Sequence, residues 1–196
     1  MVSLRNLLSF VACLAALAGC GQDSDKPKFQ LTDITGVSWG KKLELTDHDG
    51  KRRTLQDFKG KVVVLFFGFT HCPDACPTTL AELATVAKEL GPDAQRLQVL
   101  TVTVDPERDT PEVLRKYVPS FNPSFLGLYG TPAETTAAAK EFKVYVQKQP
   151  QPGGGYTVDH SAGTFVFDRE GRLRLFGNYG AGAKALLHDI KLLLSS

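Results

Sequence analysis

The chain has 196 residues, 42% of them hydrophobic, with 23 Lys and Arg against 21 Asp and Glu and a formal charge of +2. Length and composition support one domain with a core of its own, not a disulfide-stapled miniature. The basic residues are dispersed and nearly balanced by acids, so nucleic-acid binding has little support.

The first element is an export segment, residues 1–20. Arg5 supplies a small positive region, and Leu7 to Ala18 are apolar but too few to span a bilayer comfortably. Leu17-Ala18-Gly19-Cys20 then looks like a bacterial lipoprotein signal, with small residues at the cleavage site and a lipid carried on Cys20. Cys13 leaves with the signal, so the exported protein keeps one thiol pair in an oxidising compartment. Residues 21–30 are polar and read as a flexible tether, and residues 31–196 read as one folded domain.

Leu31 to Ile34 is expected along the domain edge. Leu43-Glu44-Leu45 and Arg53-Thr54-Leu55 read as a hairpin about Asp47-His48-Asp49-Gly50, with Lys51-Arg52-Arg53 a solvated turn. Lys61 to Phe67, β-branched and aromatic without polar alternation, predicts a central strand covered on both faces. Leu80, Leu83, Ala84, Ala87 and Leu90 keep helical spacing up to the stop Gly91-Pro92. A buried strand follows over Leu97 to Val104. Thr110-Pro111 opens a helix that Pro119 is expected to halt, and Thr131 with Glu134 forms a capping box for a third. Val144 to Val146, a mobile segment Gln149 to Gly155, strands Gly163 to Phe167 and Arg172 to Phe176, and a helix bearing Leu186, Leu187, Ile190, Leu193 and Leu194 complete the chain. Strands alternating with helices, then a terminal hairpin and helix, give an α/β sheet with an antiparallel edge. Such sheets place reactive groups at the carboxyl ends of their strands.

The thiol pair is there. Cys72 and Cys76 follow the central strand in His71-Cys72-Pro73-Asp74-Ala75-Cys76-Pro77. Because the residue before a proline avoids the right-handed α region, Cys76 is expected as the last residue before a helix that begins at Pro77. Both sulfurs then lie near a helix N-terminus, which favours thiolate. Three intervening residues give the loop enough slack either to close a disulfide or to hold an ion. Two thiolates and one imidazole suit soft Cu(I), and added oxygen donors would accommodate Cu(II). A structural zinc site normally wants a fourth protein ligand, and no third cysteine is on offer. His160, after the glycine-rich segment, is the third donor the sequence proposes. His71 reads as a neighbour, while His48 in a hairpin turn and His188 in the last helix are left out. Asp105, at the end of a buried strand and before Pro106, is either a turn cap or a site group. Arg108 and Asp109 read as a solvated pair and loop cap.

Three segments, Gly68 to Pro77, Val104-Asp105-Pro106-Glu107-Arg108-Asp109-Thr110-Pro111 and Val158-Asp159-His160-Ser161, together resemble the SCO/SenC family in sequence and order. Those proteins are thioredoxin-like factors of cytochrome c oxidase assembly. The resemblance covers the chain from about Thr32 onward. It implies a thioredoxin-like fold, a central mixed sheet flanked by helices with an extra N-terminal β-hairpin. It also implies Cys72, Cys76 and His160 as copper ligands and Asp105 as an acidic residue flanking the site. The expected role is a copper-binding assembly factor, not a turnover enzyme, serving subunit II of cytochrome c oxidase or another copper protein. It would act as a monomer anchored by lipid at the periplasmic, extracytoplasmic face.

One alternative is a thiol–disulfide oxidoreductase that keeps the acceptor's cysteines reduced. Cys72 would attack and Cys76 resolve, or the reverse. Another is a permanent Cys72–Cys76 disulfide, which closes so little chain that it would add only modest stability.

Overall fold

A computed structural model describes residues 28–196. Cys13, Cys20, the export segment and most of the tether lie outside the described residues. Among the described residues ten strands are present: β1 Thr32–Asp33, β2 Glu44–Asp47, β3 Arg52–Thr54, β4 Val62–Gly68, β5 Leu97–Thr103, β6 Leu126–Tyr129, β7 Val146–Pro150, β8 Tyr156–His160, β9 Gly163–Phe167 and β10 Leu173–Asn178. Four α-helices accompany them: α1 Ala75–Leu90, α2 Pro111–Phe121, α3 Pro132–Glu141 and α4 Gly182–Ser195.

Eight strands form one sheet in the order β1-β10-β9-β4-β5-β6-β2-β3, and β7 with β8 forms a separate two-stranded sheet. The β4–β5 and β5–β6 pairs are parallel, as crossovers through α1 and α2 require, and the remaining pairs are antiparallel. Every residue of β4 is buried. Val62 and Val64 pack with Leu80, Leu83, Leu186 and Ile190 on one side. Val63, Leu65 and Phe67 pack with Ala138, Phe142 and Phe165 on the other. That two-sided burial is why the strand reads as an unbroken apolar run. The β2–β3 hairpin attaches to β6 at one edge, giving the thioredoxin-like mixed sheet with its additional N-terminal hairpin.

Several local expectations change. Arg52 and Arg53 lie within β3, where Arg53 Nε meets buried Asp47 at 2.7 Å, and are not in a solvated turn. Helix α2 runs through Pro119 to Phe121. The intrahelical bond lost there would have gone to the carbonyl of exposed Arg115, and Pro119 lies only two residues from the helix end, so the proline is tolerated. The Gln149 to Gly155 segment is half structured. Gln149 and Pro150 pair with Thr157 and Tyr156, and Gly153, Gly154 and Gly155, all at positive φ, make the turn.

Buried carboxylates tie the periphery down. Asp189 of α4 accepts the Gln30 N–H at 2.9 Å and the Leu31 N–H at 2.7 Å. Asp168 accepts the Arg172 N–H at 2.9 Å, Arg172 Nε at 2.8 Å and Arg174 Nη1 at 3.1 Å. Burial opposes Asp168 ionisation, but those donors outweigh it and hold the carboxyl below the usual aspartate range. A carboxylate depressed in this way stabilises the fold above its unfolded pKa and loses that contribution as pH falls through its folded value. Urea-unfolding stability is therefore expected to decline below about pH 4. Asp168→Asn should flatten that acid limb, and an unaltered limb would assign it to other groups.

Candidate metal centre

The site forms where β4 hands over to α1. Gly68 closes β4, and its carbonyl accepts the Val104 N–H at 2.9 Å from the end of β5. A tight turn follows, with the Cys72 N–H bonded to the Phe69 carbonyl at 3.3 Å. Helix α1 begins earlier than the prolines suggest: Asp74 is its N-cap and Cys76 lies inside the first turn, with Pro77 one residue further in. Proline costs nothing there, because first-turn N–H groups have no intrahelical acceptor.

This placement packs the two sulfurs unequally. Cys72 is half-buried and its Sγ accepts the Cys76 N–H at 3.4 Å. Cys76 is 1% exposed. Burial pushes the Cys76 thiol well above its ordinary range, the hydrogen bond with Cys72 adds to the shift, and a bond from the Phe69 backbone only partly offsets them. The expectation that the helix N-terminus would favour thiolate thus fails for Cys76: desolvation outweighs the helix end. Gly68 permits the packing, since a Cβ there would meet the Phe66 ring at 2.5 Å and Cys76 Sγ at 3.0 Å.

His160 reaches the same place from β8, of which it is the last residue. The base of its hairpin is closed by the Ser161 N–H to the Tyr145 carbonyl at 3.0 Å and the Tyr145 N–H to Ser161 Oγ at 3.1 Å. His160 Nδ1 lies 3.0 Å from the Ser161 carbonyl, an acceptor only, so Nδ1 carries the proton and Nε2 is the free donor atom. Nε2 faces Cys76 Sγ at 3.6 Å. Burial lowers the pKa of His160, against a smaller opposing effect of the Ser161 bond, and keeps the ring neutral at pH 7. The Phe66 and Phe69 rings stand edge-on to the imidazole, with centroids 6.4 and 5.8 Å away.

The donor atoms of Cys72, Cys76 and His160 all lie within 4.8 Å of one another, the one such grouping of His, Cys, Asp and Glu among the described residues. A trigonal ion with bonds of ~2.3 Å to sulfur and ~2.0 Å to nitrogen sets a sulfur and a nitrogen about 3.7 Å apart. The Cys76–His160 separation already matches. Two soft sulfurs and a neutral imidazole form a donor set that copper accepts.

Asp105 is not in that group. It is buried, bonded to Arg108 Nε through Oδ2 and accepting the Tyr156 hydroxyl at 2.7 Å through Oδ1. His71 is exposed, 3.2 Å from Thr70 Oγ1. His48 is buried and accepts the Gly127 N–H at 3.0 Å. His188 lies beside Asp189 at 2.7 Å.

Asp109, read from the sequence as a solvated loop cap, is instead 1% exposed. It accepts the Thr70 N–H at 3.1 Å, the Thr70 hydroxyl at 2.5 Å and the Thr103 hydroxyl at 2.7 Å, anchoring the turn just before Cys72. The signal for it was present: Thr110 takes the cap of α2, its Oγ1 accepting the Val113 N–H, so the preceding acid is free to turn inward.

The family model described as SCO1/SenC matches residues 29–195. Over 132 residues the chain is 43% identical to the mitochondrial Protein SCO2 homolog of Danio rerio, covering 66% of this chain and 47% of that one. The chain spans about half the length of the first curated relatives it matches. The copper-bound structure of Bradyrhizobium japonicum ScoI aligns with a TM-score of 0.72 at 40% identity, over 78% of this chain and 98% of that one. Apo Sco1 of Thermus thermophilus aligns with a TM-score of 0.76 at 44% identity, over 85% and 98%.

Proposed function

This chain belongs to the SCO1/SenC family, and from that membership we propose that it is a copper-binding assembly factor. It holds one copper ion through Cys72, Cys76 and His160 and passes it by ligand exchange to the dinuclear copper site of cytochrome c oxidase subunit II. The observation that carries this reading is the convergence of two soft sulfurs and one neutral imidazole from separate elements. The copper held by a relative at 40% identity supports the choice of ion.

A three-donor site at the end of a strand suits a carrier. Its donors can be exchanged one at a time, whereas a closed four-ligand cage would hold its cargo too firmly. The same proposal includes a monomeric domain, and export and anchoring by lipid on Cys20 at the extracytoplasmic face; the export and the anchor rest on the sequence pattern of residues 1–20. No described helix is long and apolar enough to cross a membrane.

His160→Ala is expected to weaken cuprous-ion binding at least ~10-fold in equilibrium dialysis of the reduced domain. Unchanged affinity would remove His160 from the site.

The unequal sulfurs favour a second reading as well. Half-buried Cys72, with an N–H aimed at its sulfur, is the better nucleophile, and buried Cys76 the resolving thiol. Attack by Cys72 on a partner disulfide would release one partner thiolate and form a mixed disulfide. Cys76 would then displace the second thiolate, leaving the partner reduced and Cys72–Cys76 oxidised. A Cys76→Ser protein that accumulates the mixed disulfide would establish this activity; its absence would dismiss it.

A further inference from the structure

The third donor sits on a weakly rooted element. Strands β7 and β8 share no ladder with the eight-stranded sheet, and a lone two-stranded hairpin is marginally stable in water. Four of the five β7 residues are exposed, and in β8 only Val158 is buried. Side chains of a strand alternate, so Tyr156, Val158 and His160 share one side of β8. Val158 supplies the apolar contact and His160 the donor.

Tyr156 supplies a polar fastening about 13 Å from His160 at ordinary strand rise. Its hydroxyl donates to Asp105 Oδ1 at 2.7 Å and lies 3.4 Å from Glu107 Oε2. Its carbonyl accepts Arg108 Nη1 at 2.9 Å, and the Arg108 guanidinium lies 3.9 Å from its ring centroid. Arg108 is itself held by Asp105, so two residues of the β5–α2 loop grip one residue of the hairpin from three directions. Lys148 of β7 approaches the same ring at 4.6 Å while paired with Glu107 at 2.6 Å.

We infer that Tyr156 is a positioning residue for the copper site: clasped by Asp105 and Arg108, it holds the hairpin against the domain and thereby keeps His160 beside the sulfurs. It touches no reacting atom. Asp105 then influences the centre through Tyr156 and the hairpin, not by contact with the ion. This rests on the copper-carrier reading for the role of His160, while the clasp itself can be judged without metal.

The test compares Tyr156→Phe, which removes only the hydroxyl, with the unaltered chain, in both the native and His160→Ala backgrounds. In the metal-free protein, amide hydrogen exchange over residues 157–161 is expected to accelerate about 10-fold while β4 and β5 stay unchanged. Cuprous affinity should fall about 10-fold in the native background and stay within about 2-fold in the His160→Ala background, where there is no donor left to position. Unchanged exchange over 157–161 overturns the clasp. Equal losses of affinity in the two backgrounds overturn the positioning role, because the effect would then reach the sulfurs or the whole fold. If His160→Ala alone leaves affinity unaltered, the copper reading of His160 fails and the positioning role with it, while the exchange data still decide whether the clasp exists.

Discussion

Cys72→Ser and Cys76→Ser are each expected to lower cuprous affinity by more than about 100-fold in competition titrations against a cuprous chelator. Outer-sphere substitutions at metal sites typically cost 10–100-fold, so deleting a bonded atom should exceed them. A serine hydroxyl is a hard donor that keeps its proton near neutral pH, a poor match for a soft cuprous ion. Cys72→Ser is the cleaner variant. Its side chain is half-buried, and a hydroxyl can still accept the Cys76 N–H that now points at sulfur. Cys76 is buried in the core cluster and packed against Gly68, so Cys76→Ser also buries a hydroxyl there and needs a parallel unfolding curve. Affinity retained within about 3-fold by Cys72→Ser would exclude the thiol pair as the copper site.

Asp109→Ala is expected to cost ~3 kcal/mol of stability in urea unfolding. Three donors, the Thr70 N–H and the hydroxyls of Thr70 and Thr103, lose their acceptor together. Each buried unsatisfied group costs roughly 1–3 kcal/mol, and the hydroxyls can turn to relieve part of that. The loss should reach the metal centre too, because Thr70 lies two residues before Cys72 and its anchoring fixes the start of the turn. A further drop of about 10-fold in cuprous affinity is expected, the size found for outer-sphere groups. Asp109→Asn keeps an acceptor oxygen and should lose about half as much stability. A change below about 0.5 kcal/mol for Asp109→Ala, the range of ordinary surface substitutions, would restore the solvated-cap reading of this residue.

What could be read from sequence, and what could not, follows from where each signal resides. The central strand, the α1 periodicity and the capped starts of α2 and α3 were legible because burial and capping leave local patterns. The β7–β8 hairpin was not. Strand β7 is polar and mostly exposed, β8 buries only Val158, and the run Gln149 to Gly155 resembles a linker until its glycines are seen closing a turn. Strand β6, Leu126–Tyr129, went unread because its short run is interrupted by Gly127 and it lacks the flanking hairpin turn that marked the short β2 and β3. The start of α1 was placed at Pro77 by a rule about the residue before proline, and helix formation overrode that preference by two residues. At the site, Cys72, Cys76 and His160 were each nameable from residue type and spacing. The Thr110 cap leaves Asp109 free to turn inward, but its Thr70 partner lies 39 residues away, and the grip on Tyr156 spans 51 residues, which no local pattern encodes.

The attachment of Gln30 and Leu31 to Asp189 bears on how the domain responds to mechanical load. Tension arriving through the residues ahead of 28 is delivered to α4 and, by way of β1, to β10. Strands β10 and β9 stand between β1 and the strand that ends at the cysteines. Tugging on the leading end therefore loads the outer edge of the sheet and α4, whose Leu186 and Ile190 pack with Leu80 and Leu83 of the helix that carries Cys76.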